Sequence, residues 1–204
     1  MATIGLSRPY FAIYGFDPAV SATPTYSNGG LMGKYTELTI SLTEPEDNDL
    51  MADNGPDETD TQFTGGNAEI TTNDLLPEVM MKILAVLTEA INAEGIETEN
   101  PLWMLFDDDQ QIPYIGLGGI IKKKVKGEIK WQAYILNKLQ PSNPGLAVTT
   151  QGKTITWQTS RLGMKILRSD EPKHRWFMLS SLLDSEADAD KAIRAYLNIT
   201  EATA

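Results

Sequence analysis

Cysteine is absent from the 204 residues, and histidine occurs once. The lack of cysteine excludes disulfides, thiolate metal sites and cysteine nucleophiles, and it fits a reducing compartment. His174 lies in PKHRWFM, and no GxSxG elbow or other nucleophile signature accompanies it, so a surface or interface role is expected for this side chain. No pair among the 28 acids stands out as a candidate for carboxylate catalysis. We predict that the protein is not an enzyme.

Long hydrophobic runs are also missing. The best candidate, Leu75–Ile91, is interrupted by Pro77, Glu78, Lys82 and Glu89, so it predicts an amphipathic helix and not a membrane span. The first residues, MATIGLSRPYFAIY, lack the basic start and apolar centre of a signal peptide. No membrane segment and no secretion route are expected.

Phosphate-binding and metal-binding motifs fail at specific positions. A dinucleotide GxGxxG match in the GLGGI segment would need glycine where the chain has Ile121. A phosphate loop in NGGLMGKY would need glycine at Asn28 and Ser or Thr at Tyr35. Asp107–Asp109 lacks the alternating ligand spacing of a calcium loop, and a solvated loop is the expected structure. We predict no cofactor and no bound metal.

Basic residues are scarce in the first half of the chain. Residues 1–110 hold 20 of the 28 acids and three of the 17 bases, a net charge of −17, whereas residues 111–204 carry +6. If the two halves present different surfaces, copies attract head to tail, and such a contact closes into a ring or continues into a filament. The alternative is that the charges mix once the chain is folded.

The acids concentrate in one long segment. Glu44–Asp60 contains eight acids and no base, with Pro45, Asn54, Gly55 and Pro56, which predicts an excursion outside the core. A short strand over 49–53 is expected within it. We hypothesise that this acidic loop folds onto an adjacent subunit and becomes ordered only on assembly, with Asp53, Asn54 and Gly55 as candidate contacts.

Several short segments, separated by turn residues, alternate apolar and polar residues with a period of two. This pattern predicts a mainly β fold of the sandwich or barrel type in a single domain over 1–204. Two amphipathic helices interrupt it, one following Asn73 or Asp74 as its cap and one over about 185–198 capped by Ser185. The strands are predicted over RPYFAIY (8–14), KYTELTISL (34–42), EIKWQAYI (128–135), KTITWQT (153–159) and LGMKILRS (162–169), with Phe11, Ile13, Leu38, Ile40, Leu42, Ile129, Trp131, Ala133, Ile135, Ile155, Trp157, Met164 and Ile166 on the apolar faces.

An unusually long hairpin is predicted over about 112–138 around Gly127, each arm roughly 35–40 Å long at about 3.3 Å per residue. On the first arm Tyr114, Gly116 and Gly118 share a face nearly bare of side chains, where another backbone or helix can pack closely. On the second arm Tyr134 and Leu136 lie on the polar face, so both sides are expected to be covered in an assembly.

Five lysines lie near the tip of this hairpin. A nucleic-acid patch is disfavoured because a strand sends alternate lysines to opposite faces, because aromatic side chains are not interleaved with them, and because the chain has a pI near 4.5. Two roles stay open: a charged tip that blocks edge-to-edge aggregation, and a contact between subunits. The lysines are Lys122, Lys123, Lys124, Lys126 and Lys130, of which Lys122 and Lys124 are the candidate contacts.

Six segments in order resemble the major tail protein of long-tailed phages and prophages of Gram-positive bacteria. The similarity runs from Ile4 to Asn198. The segments are YSNGGLMGK (26–34), ADNGPDETD (52–60), LLPEVM (75–80), DDDQQIPYIGLGGIIKKK (107–124), NPGLAVTTQGKTITWQT (143–159) and SSLLDSEADA (180–189).

The resemblance implies a tail-tube subunit of the virion that is assembled in the host cytoplasm. Such subunits form six-fold rings whose strands join into an inner β-barrel, and the rings stack into the conduit for genome ejection. The implied partners are other copies of the chain, the tape measure protein, the tail terminator and the distal tail or baseplate proteins, with double-stranded DNA passing through without specific binding.

A monomeric carbohydrate-binding β-sandwich is the competing class, supported by four Trp, seven Tyr and the fold alone. It predicts a stable monomer with exposed aromatic side chains and a route for secretion. A hydrolase on the same fold ranks below it, because no catalytic constellation emerges.

Overall fold

The computed structural model describes residues 2–43, 49–52, 55–59, 63–73, 75–91, 102–145, 150 and 159–200. Within these ranges the protein is mainly β with two helices, as predicted. The strands are β1 (Ala2–Gly15), β2 (Thr25–Leu31), β3 (Tyr35–Leu42), β4 (Asp49–Ala52), β5 (Gly55–Thr59), β6 (Gly66–Thr72), β7 (Leu87–Ala90), β8 (Leu102–Leu105), β9 (Ile115–Val125), β10 (Glu128–Pro141), β11 (Ser160–Leu167) and β12 (Phe177–Leu179), and the helices are α1 (Pro77–Leu84) and α2 (Glu186–Tyr196).

The main sheet is antiparallel and follows the order β2-β1-β9-β10-β11-β6-β3. Strand β10 is long enough to have two neighbours on one edge, β11 near its end and β12 near its middle. The pairs β4–β5 and β7–β8 form separate two-stranded sheets. The predicted strand over 153–159, with Ile155 and Trp157, lies outside the described residues except at its last position.

The short connection between the two edge strands shows that the sheet curls strongly. Only three residues, Met32–Lys34, join β2 to β3. In a flat sheet of seven strands β2 and β3 would lie about 29 Å apart, at about 4.8 Å per strand. A link of this length reaches about 14 Å. The curl is also visible where the Tyr35 and Tyr134 hydroxyls meet across the interior, so the sheet is an open barrel.

Alternation places a core on each side of the central strands. Phe11, Leu117 and Leu136 point into the curl, where they join Met32, Ile70 and helix α1. The opposite sides of the same strands lie under α2, where Ala133, Ile135 and Ile193 pack together. Tyr134 and Leu136 were expected to be covered by an assembly; both are fully buried within this chain, because the curled sheet covers that face.

One helix begins as predicted, and the other has a different cap. Helix α2 begins after Ser185, whose hydroxyl accepts a hydrogen bond from the Asp188 amide at 3.1 Å, as the cap prediction required. Helix α1 is not capped by Asn73: its N-cap is Leu76, and the Asn73 side chain accepts from the Lys34 amide. The other predicted cap, Asp74, lies outside the described residues. Pro77 begins the helix, where its missing N–H costs no intrahelical bond.

Candidate assembly surfaces

The glycine face of β9 is filled by the chain itself. A Cβ on Gly116 would lie 2.5 Å from Tyr26 Cε1, and a Cβ on Gly118 would lie 2.6 Å from Ile193 Cγ2. The helix that this bare face accepts is therefore α2 of the same chain. This corrects the prediction for Gly116 and Gly118: both are fully covered by intramolecular packing and do not offer a surface to another subunit.

Tyr114 has an intramolecular role as well. The Lys138 ammonium lies 4.5 Å from the centre of the Tyr114 ring and 5.2 Å from that of Tyr14, and it is 2.6 Å from a carboxylate oxygen of Asp170. Burial raises the pKa of Tyr14 to about 12, and the neighbouring Asp170 carboxylate adds to the rise. Tyr114 is still 39% exposed.

The sole histidine helps to shape the turn beside this lysine. His174 adopts a positive φ of 49°, and its Nδ1 lies 2.9 Å from the Ser169 carbonyl oxygen. In the same turn buried Glu171 accepts two hydrogen bonds from the Arg175 guanidinium and one from the Ser169 hydroxyl. Burial alone would raise the pKa of Glu171, but these bonds outweigh it and lower the pKa. The turn is structural, and sequence reasoning missed it because its acids and bases are unremarkable in the sequence.

The distal part of the β9–β10 hairpin is less buried than its base, and Trp131 is the side chain there that packs against the core under α2. Ile120 and Ala133 are buried, whereas side chains beyond them are half-buried or exposed up to the turn at Lys126 and Gly127. These two residues have φ values of 50° and 94°, as a two-residue type I′ turn requires. We call this part the ribbon tip; it consists of Ala2–Ser7, Ile121–Val125 and Glu128–Gln132.

The lysines of the ribbon tip divide between its two faces, as predicted from alternation. Lys122 and Lys124 stand opposite Trp131 and Ile129 on one face, and Lys123 stands opposite Lys130 on the other. Lys130 is paired with Asp184 at 2.6 Å and with Glu128 at 3.2 Å. Neither Lys122 nor Lys124 has an ion-pair partner within the described part of the chain.

The first half of β1 presents an unpaired edge. Ala2–Ser7 pairs with β9 on one side, and β2 joins β1 only from Tyr10 onward. On the outer side of Ala2–Ser7 no described strand follows. This edge, ATIGLS, contains no charge and no proline, two of the devices that protect edge strands from pairing with other chains, and the register of β1 on β9 shifts once within it, between Thr3 and Gly5.

Part of the acidic loop falls within the described ranges. Strands β4 and β5 pair with each other, with Ala52 opposite Gly55, so the short strand expected over 49–53 is present as Asp49–Ala52. Asp53 and Asn54 lie outside the described residues. The hypothesis that this loop orders on assembly stays a prediction.

A groove of about 610 Å³, lined by polar side chains together with Ala68, Pro141 and Met164, crosses the outer face of β3, β6, β11 and the end of β10. Its described lining includes Thr39, Asn67, Glu69, Gln140 and Lys165, and none of the lining residues is aromatic. Small-molecule sites are usually lined by apolar and aromatic side chains with a few polar groups. The groove therefore gives a sugar ring no aromatic surface on which to stack.

The described residues form neither a metal-binding cluster nor a helix that could cross a membrane. Asp107, Asp108 and Asp109 are exposed, and no group of three His, Asp or Glu side chains among the described residues is placed to hold a metal ion. Among these residues there is also no helix of the length and apolarity that a membrane crossing needs.

Comparison of the chain with models of known protein families and with curated proteins found no match.

Proposed function

We propose that this protein is a tail-tube subunit, a structural protein that assembles into rings and stacks them into a hollow tube for the passage of DNA. The observation that carries the proposal is the free, uncharged edge of Ala2–Ser7 in the ribbon tip. Such an edge pairs readily with a strand of another chain. In a ring, the Ala2–Ser7 edge of each copy pairs with a different strand of the next copy, so that the sheets join into one barrel.

The six resembling segments and the charge support the same function. The net charge of −11 disfavours adhesion of DNA, because each phosphate that a protein neutralises adds affinity. In this proposal the virion tail is the site of action, the tape measure, terminator and baseplate proteins are the partners, and no chemistry is catalysed.

The test is sedimentation velocity of the purified protein over a range of concentrations. We expect ring-sized species for the wild type and their loss in Ile4→Lys, which places a charge on the free edge. Val20→Lys is the matched control, because Val20 is also a β-branched apolar residue but lies in the loop before β2, where it is 78% exposed. If Ile4→Lys forms the same rings as the wild type, the proposed edge pairing is wrong.

The carbohydrate-binding alternative predicts a different result in the same experiment. Its exposed aromatic side chains would be Trp103 and Phe106, which are 60% and 48% exposed and do not line the groove on β3, β6 and β11. A monomer at every concentration that is retained by a glycan matrix, with retention lost in Trp103→Ala, would favour that class over the tail tube.

A further inference from the structure

The β9–β10 pair has a basic end and an acidic end. At the basic end Lys124 and Lys126 are exposed, and Lys122 is half-buried beside them. Within the described residues none of the three has an ion-pair partner. We define the basic end as these lysines together with Ile129, which stands opposite Lys124 and is 42% exposed.

The acidic end lies at the other end of the same strands. Gln110 bridges the Asn143 amide, just beyond β10, and the Leu84 carbonyl at the end of α1. The adjacent residues Asp107–Asp109 are exposed, as is Glu89 in β7. Helix α1 adds Glu78 and Lys82, whose charges offset each other. Strand β10 alone is 14 residues long, so the two ends are about 46 Å apart at about 3.3 Å per residue.

Apolar side chains accompany the acids. Leu87 stands opposite Leu105 across the β7–β8 pair, and Trp103 stands opposite Glu89 on the same face. Leu87 is 63% exposed, Trp103 60% and the neighbouring Phe106 48%. A contiguous apolar surface rimmed by charge is typical of protein–protein contacts. We define the acidic end as these four apolar residues together with Glu89 and Asp107–Asp109.

We infer that the acidic end of one copy docks on the basic end of the next copy. Both surfaces are on the same chain, and each is the electrostatic complement of the other, so a second copy is the partner that fits both. The contact is head to tail and repeats along one direction. This inference rests on the proposed tail-tube function, in which it supplies the contact between stacked rings, whereas the Ala2–Ser7 edge supplies the contact within a ring.

A charge-swap experiment tests this contact. The first variant combines Lys124→Glu with Lys126→Glu, so that both ends are acidic; the second combines Asp107→Lys, Asp108→Lys and Asp109→Lys, so that both ends are basic. Each variant alone should associate end to end at least about tenfold more weakly than the wild type, because like charges face each other. When separately assembled samples of the two variants are mixed in equal amounts, association should recover to within about threefold, because each contact between the two variants joins opposite charges.

The control combines Lys173→Glu with Lys191→Glu, two exposed positions that belong to neither end, and matches the first variant in net charge. The readout is the distribution of rings, stacks and longer species in sedimentation and electron microscopy. Isolated rings in each variant and stacks in the mixture are the expected result. If both variants form stacks as well as the wild type does, the inference is wrong, and the tail-tube proposal is unaffected.

Two further outcomes separate the inference from the proposed function. In the first, the wild type forms linear oligomers but no rings, each variant alone forms neither, and the mixture forms the linear oligomers again. This result supports the end-to-end contact and counts against the tail tube. A wild type that stays monomeric at all concentrations counts against both.

Discussion

At the scale of single residues, Glu171 links the stability of the protein to pH. Hydrogen bonds from Arg175 and Ser169 lower its pKa in the folded state, so the stabilisation is fully present above the unfolded-state value of about 4.3. It is lost as the pH falls through the lowered folded-state pKa.

Replacement of Glu171 by Gln should therefore reduce the free energy of unfolding by about 1–3 kcal/mol at neutral pH, since a buried acceptor of charged hydrogen bonds is lost. The difference from the wild type should shrink as the pH falls below about 4. Thermal melting between pH 7 and 3 measures both effects. Glu37→Gln is the control, since Glu37 is exposed and has no ion pair among the described residues. A pH-independent difference would contradict this account of Glu171.

Gly118 shows how closely α2 approaches the sheet. Gly118→Ala should lower the free energy of unfolding by about 1–3 kcal/mol, because the new Cβ meets Ile193 Cγ2 at 2.6 Å. Gly5→Ala is the matched control: no atom lies within 4 Å of its added Cβ, and its effect should stay within about 0.5 kcal/mol. Chemical denaturation gives both values.

A double-mutant cycle identifies the cause of the Gly118 effect. In an Ile193→Ala background the Cγ2 atom is gone, so Gly118→Ala should cost less than it does in the wild type. An equal cost in both backgrounds would show that the contact with α2 is not the reason for the glycine.

At the scale of elements, the β9–β10 turn determines the register of the ribbon tip. Gly127→Ala should destabilise the hairpin by about 1 kcal/mol, because φ is 94° at this position. Lys126→Asn should be neutral or stabilising by a few tenths of a kcal/mol, because asparagine favours the left-handed conformation that a type I′ turn requires. Hydrogen exchange of the ribbon-tip amides distinguishes the two; faster exchange in Lys126→Asn would argue against the turn assignment.

Strand prediction succeeded where one face is apolar and the other polar. The segments around Phe11, Leu38, Ile129 and Met164 all lie in strands of the main sheet. Alternation failed to reveal β2 and β6, because TYSNGGL and GNAEITT are rich in small and polar residues. Their positions depend on pairing with β1 and β11, which is long-range information that a local pattern does not contain.

Helix prediction placed both helices but overextended the first. Leu87 continues the helical spacing of its apolar neighbours, yet it belongs to β7, because Ala85 adopts a left-handed conformation and ends α1. Nothing in the residues of KILAVL marks that stop, since alanine normally favours a helix.

At the scale of the whole molecule, the sequence predicted that something packs closely on Gly116 and Gly118 but not what does so. A glycine indicates that another group approaches the backbone closely, but it does not indicate which group. The structure assigns the approach at Gly118 to Ile193 of α2 and the approach at Gly116 to Tyr26 of β2. In our proposal the surfaces for other copies are the Ala2–Ser7 edge and the two charged ends. The lopsided charge of the chain thus corresponds, in part, to opposite ends of one long hairpin.

The central claim is self-assembly into a tube, and negative-stain electron microscopy of the purified protein tests it most directly. The account predicts rings with a central channel, and stacks or tubes of such rings as the protein concentration rises. Isolated monomers at every concentration and ionic strength would contradict it.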